Sequence, residues 1–287
     1  MKLLIFGYGY TARTLVAEMN PAPGETRVTT RSADKAARLQ AEGLTARVFP
    51  GTDMAADLHW ATHVLITAGP EDGHDPVLAH ARDAIVAAAD GLVWVGYLST
   101  TGVYGDHSGG WVDEETPLTP STARGRARVA AEGEWQALYH AHGLPLHIFR
   151  LAGIYGPGRG PFAKVREGTA RRIVKPGQVF SRIHVEDIAQ VLIASMAHPQ
   201  AGAVYNLCDD DPAPPQDVIA HAAELLGLPV PPEVPYDEAD LSPMARSFYA
   251  ESKRVDNRRM KEELGIRLRY PDYRAGLAAL LSADGDE

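Results

Sequence analysis

The sequence predicts an α/β protein built on a doubly wound, seven-stranded parallel sheet, with a smaller C-terminal lobe. Short apolar runs recur along the first two thirds of the chain, and segments of helical periodicity separate them. The runs are apolar on both faces, as expected of strands that helices cover on two sides. From Pro212 onward proline becomes frequent and the pattern loses its regularity, so we expect a separate lobe there.

The predicted strands and helices alternate along the chain. The strands are KLLIFG, RVTTR, ARVFP, HVLITAG, LVWVGYLS, LHIFRLAGIYG and AVYNLCD. The helices span residues 11–19, 33–42, 76–89 and 121–142, and a further helix follows SRIH. Residues 157–178 are rich in glycine, proline and arginine and interrupt the alternation. We therefore predict a large domain of residues 1–156 and 179–211 and a small lobe of residues 157–178 and 212–287.

Composition and charge exclude several classes of protein. The chain has 287 residues, 45% of them hydrophobic, and a net charge of -9 that repels nucleic acid and anionic membranes. Cys208 is the only cysteine, which excludes an intramolecular disulfide and a thiolate metal cluster. The opening apolar run is too short for a signal segment, and no run approaches the roughly eighteen residues of a membrane helix. We expect a cytoplasmic protein without a metal site.

A glycine-rich turn, GYGYTA, lies between the first predicted strand and the first predicted helix. It matches the pattern G-x-G-x-x-G/A of dinucleotide-binding folds. Gly7 allows the tight turn, Gly9 lets the backbone approach a pyrophosphate, and Ala12 is small enough for the helix to pack on the strand. With Tyr10 and Thr11 these residues would hold the pyrophosphate at the helix N-terminus. We predict a Rossmann fold, with a purely structural glycine turn as the alternative.

The end of the second predicted strand indicates which dinucleotide is bound. Folds that prefer NAD carry an acidic residue there, whereas this chain has Arg31 and Ser32, and Asp34 comes later, at the start of the helix. An arginine at this place suits a 2′-phosphate. Ala68, after the fourth strand, is a further candidate contact with the cofactor. We expect NADP, with NAD possible, and a solvated Arg31 as the alternative.

Four stretches, GYGYTA, LSTTGVYGD, RLAGIYGPG and RIHVEDIA, occur in this order. Together they resemble the extended short-chain dehydrogenase/reductase family, which contains nucleotide-sugar epimerases and dehydratases. The resemblance implies that a small substrate binds between the sheet and the small lobe. It also implies a homodimer paired through two long helices, here residues 76–89 and 121–142. Ala81, Ala84 and Ala88 would let these helices approach closely, although the same alanines could pack on the sheet.

The catalytic Tyr-x-x-x-Lys pair of that family is replaced here. The matching segment is RGRAR, so Arg124 takes the place of the tyrosine and Arg128 that of the lysine. An arginine stays charged and only donates hydrogen bonds, so neither residue can act as an acid or a base. Arg128 could contact the nicotinamide ribose, and Arg124 could bind an anionic group or an oxyanion. Alternatively, the two arginines form an exposed ladder of ion pairs with Glu132.

Other residues could complete the chemistry. The resemblance implies that Thr100 hydrogen-bonds the reacting oxygen of the substrate, unless the backbone satisfies its hydroxyl. His184 is a candidate acid with a suitable ordinary pKa, although it could have a structural role beside Arg182. Tyr104 and Tyr155 could supply a proton, but packing roles are expected for both.

Two functions follow from these residues. The first is an NADP-dependent oxidoreductase or epimerase-like protein that uses non-standard proton transfer on a small substrate, for which an anionic or nucleotide-sugar-like molecule is a candidate. The second is a catalytically silent protein that binds NADP(H) and reports its redox state to a partner. A closed nicotinamide pocket with a histidine or tyrosine in reach would favour the enzyme.

Overall fold

The fold was analysed in a computed structural model, which describes residues 1–71 and 73–284. Residues 285–287, the end of the predicted small lobe, lie outside this range. The strands are β1 (Leu3–Phe6), β2 (Thr26–Thr30), β3 (Thr45–Val48), β4 (His63–Ile66), β5 (Trp94–Thr100), β6 (Trp111–Val112), β7 (Leu146–Leu151), β8 (Gly153–Tyr155), β9 (Arg172–Val174), β10 (Arg182–His184), β11 (Val204–Leu207), β12 (Glu233–Pro235) and β13 (Arg254–Val255).

Helices follow most of these strands. They are α1 (Tyr10–Met19), α2 (Ala33–Ala41), α3 (Ala55–Trp60), α4 (Pro76–Ala88), α5 (Ala123–His142), α6 (Phe162–Arg166), α7 (Val185–Ala197), α8 (Pro215–Leu225), α9 (Pro243–Phe248), α10 (Arg258–Leu264) and α11 (Tyr273–Asp284). The sequence did not predict α3, because a helix of six residues is too short to show a helical period. Within the described residues, no helix combines the length and the apolar character that crossing a bilayer requires.

The main sheet has seven strands in the order β11-β7-β5-β4-β1-β2-β3. Every pair of neighbours in it is parallel, which confirms the predicted doubly wound sheet. The order reverses between β1 and β4, so the loops after these two strands diverge and leave a crevice at the carboxyl edge. Ligands of open α/β sheets bind in such a crevice.

Helices cover both faces of the sheet, and β1 shows how its residues divide between them. Leu3 and Ile5 belong to one hydrophobic cluster, whereas Leu4 and Phe6 belong to another, and all four side chains are fully buried. Successive side chains of a strand point to opposite faces, so each face receives alternate residues. The uninterrupted apolar run therefore reflects burial on two sides.

The predicted sixth strand is two strands in the structure. β7 ends at Leu151, and β8 pairs with β10 in a separate two-stranded parallel sheet. The Ala152 N–H still donates to the Leu207 carbonyl at 3.0 Å, but the Gly153 N–H turns to the Ser181 carbonyl at 3.1 Å. The chain thus leaves the main sheet after Ala152, and an apolar run cannot reveal such a change of partner.

The predicted boundary of the small lobe also needs correction. A third hydrophobic cluster joins residues of α6, α8 and α11. However, β13 pairs with β6. The cluster that contains Leu3 and Ile5 of β1 also contains four residues of the C-terminal segment: Val255, Met260, Leu264 and Ile266. Part of the C-terminal segment therefore packs with the large domain, because this strand pairing attaches it there.

Three alanines of α4 pack against the sheet. Ala81 is 5% exposed and Ala88 is 8% exposed, and both pack with Ile85 in the cluster on one face of the sheet. Ala84 packs against the same cluster. The packing alternative is therefore the observed one, and these alanines do not form a surface for a second copy.

A buried ion pair joins α5 to β7. The Glu132 side chain is 1% exposed and the Arg150 side chain is 5% exposed, and Nη2 of Arg150 lies 2.8 Å from Oε2 of Glu132. Burial alone would lower the pKa of Arg150, but the hydrogen bonds and charge of Glu132 raise it. The Ser99 hydroxyl donates to Oε1 of Glu132 at 2.5 Å. Glu132 thus pairs with Arg150. The alternative prediction, in which Glu132 pairs with Arg128 in an exposed ladder of ion pairs, is wrong.

We predict that Glu132→Ala lowers the free energy of unfolding by about 3–5 kcal/mol, because Arg150 would remain buried without a counter-charge. Urea denaturation at neutral pH measures this loss. Glu134→Ala is the matched control, since Glu134 lies on the same helix and pairs with Arg82 near the surface, where a loss of under about 1 kcal/mol is expected. Equal losses in the two variants would contradict the assigned role of the buried pair.

Candidate functional site

The glycine turn after β1 has the conformation that its sequence predicts. Gly7 has a φ of 94°, and a Cβ there would lie 2.7 Å from Oγ1 of Thr67. The Gly7 N–H donates to the Thr29 hydroxyl at 3.0 Å, and the Thr67 hydroxyl donates to the Gly7 carbonyl at 2.7 Å. A side chain at this position would be both strained and obstructed. Threonines near β2 and β4 therefore hold the turn in place.

The start of α1 faces open space. Among the described residues, a Cβ on Gly9 would meet no atom within 4 Å, and no side chain caps the helix. Ala12 is fully buried and Thr11 is 7% exposed, so both pack inward as the motif predicts. The first N–H groups of the helix have no side-chain acceptor, which suits the pyrophosphate of a dinucleotide. Tyr10, at the helix start, donates to the Pro157 carbonyl at 3.0 Å.

A cleft of about 1170 Å³ extends from this turn along the carboxyl edge of the sheet. Its walls come from the start of α1, the loop after β4, the end of β5, the start of α5, residues 151–155, residues 179–182 and α9. A single ligand usually occupies a pocket of roughly 300–1,000 Å³. The cleft therefore has room for a dinucleotide and a small second molecule.

Arg128 lies on the floor of this cleft in a fixed position. Its Nη1 donates to the Leu98 carbonyl at 2.7 Å and to the Tyr97 hydroxyl at 3.1 Å. A Cβ on Gly69 would lie 2.6 Å from Nη2 of Arg128, so the guanidinium passes directly over this glycine. Tyr97 is fully buried, and burial raises the pKa of its hydroxyl. The neutral tyrosine and the carbonyl thus hold a cation beside the loop after β4.

Arg124 lies one helical turn before Arg128 and lines the same cleft. It is exposed, and its Cζ lies 5.9 Å from the centre of the Phe248 ring. The helix begins at Ala123 and not at the predicted residue 121, because the Thr122 hydroxyl caps it by accepting from the Gly125 N–H at 3.0 Å. Both arginines nevertheless face the cleft, as one of the two predicted arrangements requires.

Thr100 ends β5 at the wall of the cleft. Its hydroxyl oxygen accepts from the Gly102 N–H at 3.2 Å, so the backbone satisfies it in part, as the alternative interpretation expects. A hydroxyl oxygen that accepts one bond can still donate its own hydrogen. The position therefore allows Thr100 to donate to a ligand in the cleft.

His184 is buried beneath the cleft. It is 1% exposed, and its Nδ1 caps α7 by accepting from the Glu186 N–H at 3.3 Å. Its ring packs against Tyr155 and Tyr270, with ring centres 5.1 and 4.0 Å away. Burial lowers the pKa of His184 to about 4. This position corresponds to the structural role and does not place His184 among the residues that line the cleft.

The two motif tyrosines also use their hydroxyls in packing. Tyr104 is fully buried and donates to Oδ1 of Asn206 at 2.7 Å, and burial raises its pKa to about 12. The Tyr155 hydroxyl is directed at α11, where it donates to the Asp272 carbonyl at 3.4 Å. Both hydroxyls point away from the cleft, so their packing roles are the observed ones.

The end of β2 presents cations to the cofactor side of the sheet. Arg31 is exposed, and its Nη1 lies 2.8 Å from Oε1 of Glu71. Ser32 caps α2 by accepting from the Lys35 N–H at 3.2 Å. Lys35 reaches back to the Tyr8 carbonyl at 2.5 Å, and burial followed by neighbouring arginines lowers its pKa. Lys35 is a candidate cofactor contact that the sequence interpretation missed.

Ala68 packs against the core cluster on one face of the sheet and supports the glycine turn through its backbone. Its N–H donates to the Phe6 carbonyl at 3.2 Å, and it lies beside Gly7 in the turn. The neighbouring Gly69 and Thr67 line the cleft. Ala68 therefore supports the glycine turn from behind.

Sequence interpretation missed three groups that shape the site. Tyr97 anchors Arg128, and Phe248 and Tyr249 line the cleft from α9 and the residue after it. Neither α9 nor its aromatic residues stood out, because this part of the chain has no regular period. Arg150 did carry a signal, since a charged residue inside the apolar strand LHIFRL requires a buried partner.

Known proteins resemble this chain in sequence. Residues 77–208 match the family model of the NAD dependent epimerase/dehydratase family. Protein YeeZ of Escherichia coli (strain K12) is 32% identical over 200 residues, which cover 69% of this chain and 62% of that protein. This chain thus matches less than two thirds of the length of that relative. A 3-diazoavenalumate denitrifying reductase of Streptomyces sp is 29% identical over 184 residues, 58% of each chain.

Solved structures share the fold. A functionally unknown conserved protein from Silicibacter pomeroyi DSS has 61% identity and a TM-score of 0.90, covering 100% of this chain and 99% of that one. DesIV, a dTDP-glucose 4,6-dehydratase from Streptomyces venezuelae with NAD and TYD bound, has 20% identity and a TM-score of 0.75, covering 100% and 98%. Residues 77–208 of this chain thus match an NAD-dependent epimerase/dehydratase domain, on a parallel sheet of the Rossmann type.

Proposed function

We propose that this chain is a cytoplasmic, NADP-dependent oxidoreductase that acts on a small anionic substrate without a tyrosine as its acid. The observation that carries the proposal is Arg128, a cation fixed on the floor of the cleft at the place of the family's lysine. Arg124 and Thr100 line the same cleft. The family supports a nicotinamide cofactor, which would exchange a hydride with the substrate.

The side chains around the cleft suit a reaction in which charge develops on the substrate. When a hydride adds to an electrophilic carbon, an electron pair moves to a neighbouring oxygen. The Arg124 guanidinium and the Thr100 hydroxyl can donate to that oxygen and stabilise its negative charge. Neither guanidinium releases a proton near neutral pH, so water would protonate the product. Arg128, one turn away, would hold the nicotinamide ribose.

A related protein supports the reductive direction. The name of the 3-diazoavenalumate denitrifying reductase describes a reduction and not an epimerisation. Reduction by one hydride also needs less from the protein than epimerisation, which requires removal and return of a hydride with proton transfer at each step. The loss of the tyrosine is therefore less damaging to a reductase.

One observation favours the second candidate, a catalytically silent NADP(H)-binding sensor. The hydroxyls of Tyr97, Tyr104 and Tyr155 are engaged in hydrogen bonds within the protein, and His184 is buried. A screen of carbonyl and alcohol compounds with NADPH and NADP separates the two functions. Turnover of any compound supports the enzyme, whereas tight cofactor binding without turnover supports the sensor.

We predict that the protein binds NADPH at least about tenfold more tightly than NADH. Arg31 and Lys35 lie where the 2′-phosphate is expected, and a charge-assisted hydrogen bond contributes about 1.5–3 kcal/mol. Titration by nicotinamide fluorescence measures both affinities. Arg31→Ala should remove most of this difference in affinity. In the unmodified protein, Arg31 must break its ion pair with Glu71 in order to bind the 2′-phosphate.

Arg258→Ala is the matched control, because its side chain is 74% exposed and paired with an acid, as is that of Arg31. It should leave the preference unchanged. NADH binding as tightly as NADPH, in the unmodified protein and in Arg31→Ala alike, would disprove the assignment of NADP.

We predict that Arg128→Ala weakens cofactor binding by about 1–3 kcal/mol through loss of a ribose contact. Arg124→Ala should bind the cofactor nearly normally but lose turnover or substrate affinity. The same fluorescence titration, followed by assays with any substrate found in the screen, measures both effects. Arg126→Ala is the control, since Arg126 is exposed on the same helix and bonds to the Ser121 carbonyl. Unchanged cofactor affinity in Arg128→Ala would refute the ribose contact.

We also propose a homodimer formed through the outer faces of α4 and α5. The two helices are neighbours, joined by an ion pair between Arg82 and Glu134. A Cβ on Gly133 of α5 would meet no atom within 4 Å, so this face of the helix is open. Small residues on an open helix face allow a second helix to approach closely.

Light scattering at micromolar concentration should give a mass near twice 30.9 kDa. Gly133→Arg should give the mass of one chain, because the added side chain is free in the monomer but would collide across a helix pair. Lys164→Ala, on α6, should not change the mass. A single-chain mass for the unmodified protein would rule the dimer out.

A further inference from the structure

Arg182 on β10 lies at the small-lobe side of the cleft. It is half-buried, and its Nη1 donates to the Phe180 carbonyl at 2.8 Å and to the Ala213 carbonyl at 3.1 Å. Both acceptors are neutral. The backbone thus holds the guanidinium in place without cancelling its charge, and its other nitrogens remain for a ligand.

Among the described residues, no acidic side chain forms an ion pair or a hydrogen bond with Arg182. Asp209 is 1% exposed, and neither of its carboxyl oxygens has a hydrogen-bond partner among those residues. Burial raises the pKa of Asp209 to about 8, although the charge of Arg182 opposes this shift. Asp211 pairs instead with Arg274 at 2.7 Å. Burial also lowers the pKa of Arg182, and the charge of Asp209 opposes this shift.

Lys253, another cation in the cleft wall, is already engaged. Its Nζ lies 2.7 Å from Oε2 of Glu251 and donates to the Gly105 carbonyl at 2.6 Å. On this wall, the charge of Arg182 therefore remains available to an anionic group.

Aromatic side chains surround the same part of the cleft. Phe180, Phe248 and Tyr249 line it. The rings of Phe180 and Tyr249 meet edge to face, with centres 5.6 Å apart, which fixes Tyr249. Phe248 is 54% exposed, a large apolar surface at the edge of the cleft. Flat aromatic surfaces beside a cation suit a planar ligand with one charged end.

We propose that the substrate is a small planar aromatic acid, whose carboxylate or phosphate group binds Arg182 and whose ring contacts Phe248 and Tyr249. This inference rests on the proposed function and specifies its substrate class. The acid group is held at the small-lobe side, and the rest of the molecule extends toward Thr100 and Arg124. The reducible group, attached to the ring system, then lies near Thr100 and Arg124.

Binding to the full-length protein saturated with NADP tests the proposal without requiring turnover. Calorimetry would compare cinnamate with cinnamamide, benzoate with cyclohexanecarboxylate, and cinnamate with phenyl phosphate and UDP-glucose. We expect the acid to bind at least about tenfold more tightly than its amide. Benzoate should bind more tightly than the non-aromatic acid. The comparison of cinnamate with phenyl phosphate identifies which anionic group the site prefers.

Variants test the named residues. Arg182→Gln removes the charge but can still donate to the two carbonyls, and it should abolish the preference for acid over amide. Phe248→Ala, at an exposed position, should weaken benzoate and leave cyclohexanecarboxylate unchanged, and it remains informative if Arg182→Gln folds poorly. Arg171→Gln is the control, because Arg171 is exposed, donates to the Asp240 carbonyl at 3.5 Å and lies outside the cleft lining.

Equal affinity for acid and amide, or tighter binding of UDP-glucose than of every aromatic acid, would overturn the proposal. Acid binding through Arg182 without turnover of any compound would leave this site standing and refute the enzyme. Turnover of compounds that lack an acid group or an aromatic ring would support the enzyme and refute the proposed substrate class. The two proposals therefore fail in distinguishable ways.

Discussion

The buried ion pair between Glu132 and Arg150 is the constraint on which the rest of the site depends. A carboxylate taken out of water must meet a cation, so α5 can pack on the sheet in one rotation about its axis. Arg128 precedes Glu132 by four residues and therefore shares its face of the helix. The rotation that buries Glu132 thus directs Arg128 toward the end of β5, where Leu98 and Tyr97 receive it.

The charge of the cleft differs from that of the whole molecule. The chain carries a net charge of -9, yet Arg124, Arg128, Arg159 and Arg182 all line one cleft. A local concentration of cations within low-dielectric walls attracts small anions even when the distant field is negative. A negative net charge is therefore compatible with a dinucleotide or a small acid in the cleft.

Distant segments build the cleft together. The C-terminal chain attaches to the large domain through the pairing of β13 with β6, and this attachment brings α9 and Tyr249 over the carboxyl edge of the sheet. The backbone of β10 then carries Arg182 into the same space. The two ends of the cleft are thus built differently. One continuous strand-turn-helix unit forms the end with the glycine turn, whereas contacts between remote parts of the chain form the end with Arg182.

Sequence alone determined the sheet, the glycine turn and the place of Arg124 and Arg128, because hydrophobic period, turn glycines and helix spacing depend on near neighbours. Tertiary structure alone decided the partners: Glu132 with Arg150, Arg128 with Tyr97, and the division of the sixth strand. It also decided that His184 is buried and that the buried carboxyl group of Asp209 has no hydrogen-bond partner among the described residues. These outcomes depend on which side chains meet across the core, and desolvation makes each pairing specific to its surroundings.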